Sequence, residues 1–144
     1  MKPQQFLSQV DDSAIVAAIR RAEAMTTGEI RVFISNRHVA DPVATARWHF
    51  TRLKMDQTKE RNGVLMLIAP ASQNFAIIGD SGIHSRCGEG FWAEIVADLG
   101  RSIGQAALTD GIVKAIEQAG RQLAVHFPHQ PGDMNELPDD IQRD

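Results

Sequence analysis

Hydrophobic and polar positions divide the chain into recognisable elements. Asp11-Asp12-Ser13 offers cap oxygens, and Ile15, Ala18, Ile19, Ala22 and Met25 follow at helical spacing, predicting a first helix that stops at Thr26-Thr27-Gly28. Glu29–Ser35 alternates, with Ile30, Val32 and Ile34 on one face, and reads as a first strand. Asp41-Pro42 is a cap followed by proline at the first helical position, opening a second helix with Val43, Ala46, Phe50 and Leu53 as its buried stripe. Val64–Ala69 and Phe75–Ile78 are two short apolar runs joined by Pro70-Ala-Ser-Gln-Asn74, the pattern of a hairpin in the middle of a sheet. Neither run alternates, so helices should cover both faces. Gly82–Gly90 reads as a glycine-rich loop. A third helix then presents Phe91, Trp92, Ile95, Val96 and Leu99, and Gly104–Leu108 reads as a short helical turn. A fourth helix, capped by Thr109 or Asp110, carries Ile112, Ile116, Ala119, Leu123 and Phe127 and ends at Pro128.

The order is α-β-α-β-β-α-α, which predicts an α/β fold: a three-layer α/β/α sandwich around a mixed, mostly parallel sheet containing one β-hairpin. Residues 1–128 form the single domain. Residues 129–144 form an acidic, proline-containing tail that buries little and is partly disordered or lies over the surface.

Strand direction has a chemical consequence. The first and second strands start, and the third ends, at one edge of the sheet. That edge gathers Thr27, Gly28 and Glu29 with Glu60, Arg61, Asn62, Asp80, Ser81 and Gly82. Glu29, Glu60, Asp80 and Asn62 are candidate ligands for Ca2+ or Mg2+, which take carboxylate, amide and carbonyl oxygens. Thr27, Gly28, Arg61, Ser81 and Gly82 line the same pocket. The alternative is purely local: Asp80 makes an Asx turn and Arg61 pairs with a neighbouring acid. The spacing matches no named metal loop.

Composition narrows the function classes. The 144 residues carry a net charge of −3, which gives no reason to expect nucleic acid as a partner. Residues 128–144 hold five acids against one arginine, a net −4, leaving residues 1–127 at +1. The single cysteine, Cys87, excludes an internal disulfide and fits a reducing compartment. The first ten residues lack a signal-peptide pattern and Val64–Ala69 is too short to span a bilayer, so a cytoplasmic location is expected.

Gly79-Asp-Ser-Gly82 spells the serine motif of trypsin-like proteases, but those need a long all-β chain with disulfides. His84-x-x-Cys87 and His126-x-x-His129 are each at most half a zinc site. Position 93 is alanine, so Cys87 does not head a tyrosine-phosphatase loop, and neither an Asp-x-Asp-x-Thr run nor a nucleotide-cradling loop occurs. Trp92 and Phe91 read as core anchors. Arg47, Arg52, Lys54, Lys59 and Arg61 around the second helix form a solvated face that is also open to an acidic partner or to peripheral contact with anionic lipid.

Thr27-Gly-Glu-Ile30, Arg61-Asn-Gly-Val-Leu65 and Ile77-Ile-Gly-Asp-Ser-Gly-Ile83 resemble the TPM domain family, also labelled TPM phosphatase. Phe91-Trp92, Gly111-Ile112, Phe127-Pro128 and Asn135-Glu-Leu-Pro138 resemble its short, soluble bacterial branch without signal peptide or membrane segment. The resemblance spans roughly residues 10–140 and rests on the order and spacing of these segments together. It implies an α/β/α sandwich, a divalent-cation site in an acidic pocket onto which Asp80 and Asn62 carry over, and a phosphatase assignment borrowed from a plastid relative. The function expected is a cytoplasmic binding or adaptor module, monomeric, that takes Ca2+ or Mg2+ and meets an unidentified protein partner. The alternative is a metal-dependent acid phosphatase using the same pocket.

Overall fold

The computed structural model describes residues 10–88, 90, 92–103, 108–132 and 139–144. Helix α1 spans Asp12–Glu23, with the Asp11 side chain accepting from the Ala14 N–H as its cap. Strand β1 is Glu29–Ile34 and helix α2 is Pro42–Arg52, capped by Asp41 with Pro42 at its first position. Strands β2 (Gly63–Ala69) and β3 (Asn74–Gly79) form the hairpin, closed by a one-turn 3-10 helix at Pro70–Ser72. Helices α3 (Ser81–Cys87), α4 (Ala93–Ile103) and α5 (Leu108–His126) follow, and a two-residue strand β4, Gln142–Arg143, completes the sheet.

The sheet order is β3-β2-β1-β4, with β1 parallel to both β2 and β4 and β3 antiparallel to β2. The register sets Glu29 opposite Gly63 and Val64 opposite Gly79. Period-two alternation then splits the core. Ile30, Val32, Ile34, Val64, Met66 and Ile68 pack with α1, α4 and α5, while Phe33, Leu65, Leu67 and Ala69 pack with Ala46, Phe50 and Met55 on the α2 side. β1 and β2 are buried along their whole length, so the sheet is the middle of three layers.

Two elements differ from the expected order. Ser81–Cys87 is helical rather than loop, because the Asp80 carboxylate caps it, and Gly82 sits within the first turn. Residues 142–143 lie along the free edge of β1. Three side chains placed on the helices' apolar faces are exposed to solvent: Val43, in the first turn of α2, Met25, beyond the end of α1, and Val96, in α4. Trp92 is buried as expected, whereas Phe91, Gly104–Ala107 and the acids Asp133 and Glu136 lie outside the described residues. Among the described residues no helix is long and apolar enough to cross a membrane.

Candidate functional site

The edge where β1 and β2 begin and β3 ends is built by backbone before any side chain acts. Arg61 adopts a left-handed conformation, φ 53°, between Thr58 and β2. Such a conformation costs a non-glycine residue on the order of 1 kcal/mol or more, so neighbours must hold it. They do: the Arg61 N–H donates to the Thr58 carbonyl at 3.2 Å, and the Arg61 carbonyl accepts from the Gly82 N–H at 2.9 Å. Gly82 approaches so closely that an added Cβ would lie 2.3 Å from the Glu60 carbonyl oxygen. The Asp80 N–H donates to the Gly63 carbonyl at 3.0 Å, tying the end of β3 to the start of β2.

On this frame the polar side chains form two connected groups. In the first, the Thr27 hydroxyl donates to Glu60 Oε2 at 2.8 Å, and Asn62 Nδ2 donates to Thr27 Oγ1 at 3.2 Å and to Glu60 Oε2 at 3.3 Å. The Asn62 N–H donates to Thr58 Oγ1 at 3.2 Å, and its carbonyl accepts from the Glu29 N–H at 3.3 Å. Asn62 is 1% exposed, yet among the described residues its Oδ1 has no hydrogen-bond partner. In the second group Asp80, 7% exposed, accepts from Arg61 Nε at 2.9 Å and Nη2 at 3.3 Å, and from the Ser81 N–H at 2.7 Å. This bidentate pair raises the Arg61 pKa further above its ordinary value, through its hydrogen bond and then its charge. The Asx-type turn and the Arg61 ion pair are therefore both present.

The Glu29 N–H reaches the first group, but its side chain has a different partner. Its backbone lies at the edge, but its buried carboxyl turns towards α1 and hydrogen-bonds Glu23. Glu23 was not singled out in the sequence because it reads as one more polar residue at the end of a helix. Its pKa is pushed up to about 10, first by burial, then by a hydrogen bond with Asp139, and further by the charge and hydrogen bond of Glu29. The Ile30 N–H, donating to Glu23 Oε2 at 2.8 Å, acts in the opposite direction. The residues Glu29, Glu60 and Asp80 thus sit at one edge of the sheet, while among the described residues their carboxyl groups do not converge as one metal-holding group. Among the described residues no group of three His, Cys, Asp or Glu side chains converges as a metal site, the His84/Cys87 and His126/His129 pairs included.

The residues remaining still suit a hard cation. Glu60, Asp80, Thr27 Oγ1 and the unsatisfied Asn62 Oδ1 are all oxygen donors of the kind Ca2+ and Mg2+ prefer. Asp80 would exchange part of its contact with Arg61 for the ion, whereas Glu29 would need to leave Glu23. Gly28 and Gly82 line the edge, Gly28 against Leu123 and the Asn62 carbonyl.

The TPM domain pattern matches residues 1–122. The NMR structure of the BA42 protein from the psychrophilic bacterium Bizionia argentinensis superposes with a TM-score of 0.86 at 39% identity, over 92% of each chain. No curated protein matches the chain. With most of its length under the family pattern and a solved relative of the same α/β fold, this chain belongs to the TPM domain family.

Proposed function

We propose that the chain acts in the cytoplasm as a divalent-cation-binding adaptor: Glu60, Asn62 and Asp80 take Ca2+ or Mg2+ at the mouth of the hairpin, Thr27 orients the Glu60 carboxylate, and the loaded edge meets a protein partner. The observation that carries this reading is Asn62 Oδ1, a buried acceptor without a hydrogen-bond partner among the described residues, on the amide whose Nδ2 donates to the Glu60 carboxylate. Leaving such an atom unsatisfied costs about 1–3 kcal/mol, and a bound cation would recover it. The cation would also neutralise carboxylates that otherwise depend on Arg61 and Thr27. When bound, such an ion supplies a positive centre at which a partner's carboxylates or carbonyls can dock.

Titration of the 15N-labelled protein with calcium and with magnesium tests the reading. Saturable amide shifts are expected at Asn62, Asp80 and Gly82, and their loss in Asn62→Ala. Titrations that leave those three amides in place would overturn it. Phosphate-ester hydrolysis by purified protein, abolished in Asp80→Ala, would instead move the assignment to the metal-dependent phosphatase that the family's name suggests.

A further inference from the structure

The opposite edge of the sheet carries a second constellation that the cation reading does not use. β1 leaves the sheet at Ile34 and runs on through Ser35-Asn36-Arg37-His38 before Asp41 caps α2. The register of β1 with β4 sets Arg143 beside Ile34, so Asp144 falls beside Ser35. The Asp144 carboxylate is received like a ligand: the Ser35 hydroxyl donates to it at 2.6 Å and the Asn36 N–H at 2.7 Å. Ser35 Oγ accepts in turn from the Arg37 N–H at 3.2 Å.

Over this point lies a cavity of about 550 Å³ walled by Arg37, His38, Trp48, His49, Arg52 and Arg143. That volume suits a small organic molecule, and the carboxyl ends of parallel strands are where open α/β sheets hold ligands. The wall holds three guanidinium groups around a single carboxylate. Arg143 is paired with Asp12 at 2.8 Å, but among the described residues Arg37 and Arg52 have no ion pair.

The aromatic part of the wall is also unusual. Trp48 is 59% exposed, with the Arg52 guanidinium 5.2 Å above its ring. His49, by contrast, is buried, stacked on Phe33 at 3.9 Å and edge-on to Trp48 at 4.9 Å, and among the described residues its Nδ1 has no hydrogen-bond partner. A large indole held in water and a buried ring nitrogen without a partner both cost free energy in the absence of a ligand.

We infer that this pocket binds a small oxyanion carried on a flat ring, a phosphate monoester or a carboxylate, and that the Asp144 side chain occupies the anion seat as a displaceable internal competitor. The oxyanion takes the Ser35 hydroxyl and the Asn36 N–H, Arg37 and Arg52 balance its charge, and its ring lies against Trp48. The competitor is anchored by a strand of only two residues, so the seat can be vacated without disturbing the three longer strands.

The test is a 15N–1H titration with phenyl phosphate, and with inorganic phosphate as the probe without a ring. Phenyl phosphate should shift the Asn36 and Arg37 amides and the Trp48 indole N–H together, while inorganic phosphate moves the two amides alone and binds more weakly. If Asp144 leaves the seat open one tenth of the time, Asp144→Ala should tighten phenyl phosphate binding about tenfold. In Trp48→Ala, whose side chain is mostly outside the core, the two probes should bind alike. The absence of saturable shifts in Asp144→Ala, equal affinities in wild type and Asp144→Ala, or a Trp48→Ala variant that still prefers phenyl phosphate would overturn the inference.

Discussion

Replacing Gly82 by alanine asks two effects to compete at one position. Alanine is worth up to about 1 kcal/mol over glycine in a helix interior, and somewhat less in a first turn, where Gly82 lies. Against this, the new methyl carbon would sit 2.3 Å from the Glu60 carbonyl oxygen and 2.6 Å from that of Arg61. Carbon–oxygen contacts normally close no nearer than roughly 3.3 Å, so the chain must part by about 1 Å. Both obstacles are backbone, and they belong to the segment that holds Arg61 left-handed, so no side chain can swing aside. Overpacking of this kind costs about 1–3 kcal/mol or more, and the clash should win with a net loss of about 2 kcal/mol. For a domain of this size that lowers the Tm by about 6–8 °C. Gly100→Ala provides the contrast: its Cβ would meet the Phe75 ring at 3.5 Å, an ordinary contact, inside α4. That variant should gain about 0.5–1 kcal/mol. Thermal melts followed by circular dichroism, with urea midpoints as a second measure, read both changes. A Gly82→Ala protein as stable as wild type would refute the reasoning, since it would mean the Arg61 turn is not pinned by α3.

The buried carboxyl of Glu23 makes stability decline as pH rises from acid to alkaline. Its folded-state pKa lies above the ordinary 4.5, so the folded chain keeps a proton that the unfolded chain loses; this contribution is complete below about pH 4.5 and declines as pH rises towards about 10. Glu23→Gln should therefore flatten the dependence of the urea midpoint on pH between 5 and 9 and exceed wild type at the upper end. His49 acts on the acid side: burial lowers its pKa, Arg52 and Arg37 lower it further, and the Asp144 charge opposes them. The stability it contributes is present above the ordinary value of 6.5 and is lost as pH falls through the lowered one, so His49→Phe should weaken the acid-induced loss seen in melts between pH 7 and 5.

Much of this architecture is written in side-chain spacing. Alternation in β1, the two unbroken apolar runs of β2 and β3 and the Asp41-Pro42 cap each state their structure locally, and together they fix which strand ends meet. Helix α3 is less legible because its first turn contains Gly82, whose role depends on the carbonyls of a segment some twenty positions away. β4 carries no strand pattern at all; two residues are too few for one, and their pairing is with a strand more than a hundred positions earlier. At the hairpin mouth, topology brings Thr27, Glu60, Asn62 and Asp80 to one edge, and the spacing shows this. The direction of the Glu29 side chain is not legible, because it depends on a protonated carboxyl on a different element.

The β1–β4 ladder joins Phe33 to Gln142 and Ile34 to Arg143, more than a hundred positions apart in the chain. Contacts of such sequence separation form late, after the helices between them have closed most of the intervening loop. With so few residues, β4 should also be the first part of the sheet to open in native-state hydrogen exchange, at a free energy well below that of global unfolding. The outer edge of β1 then alternates between covered and bare on a timescale faster than unfolding. In its bare state it offers unpaired N–H and C=O groups to an extended peptide from another molecule.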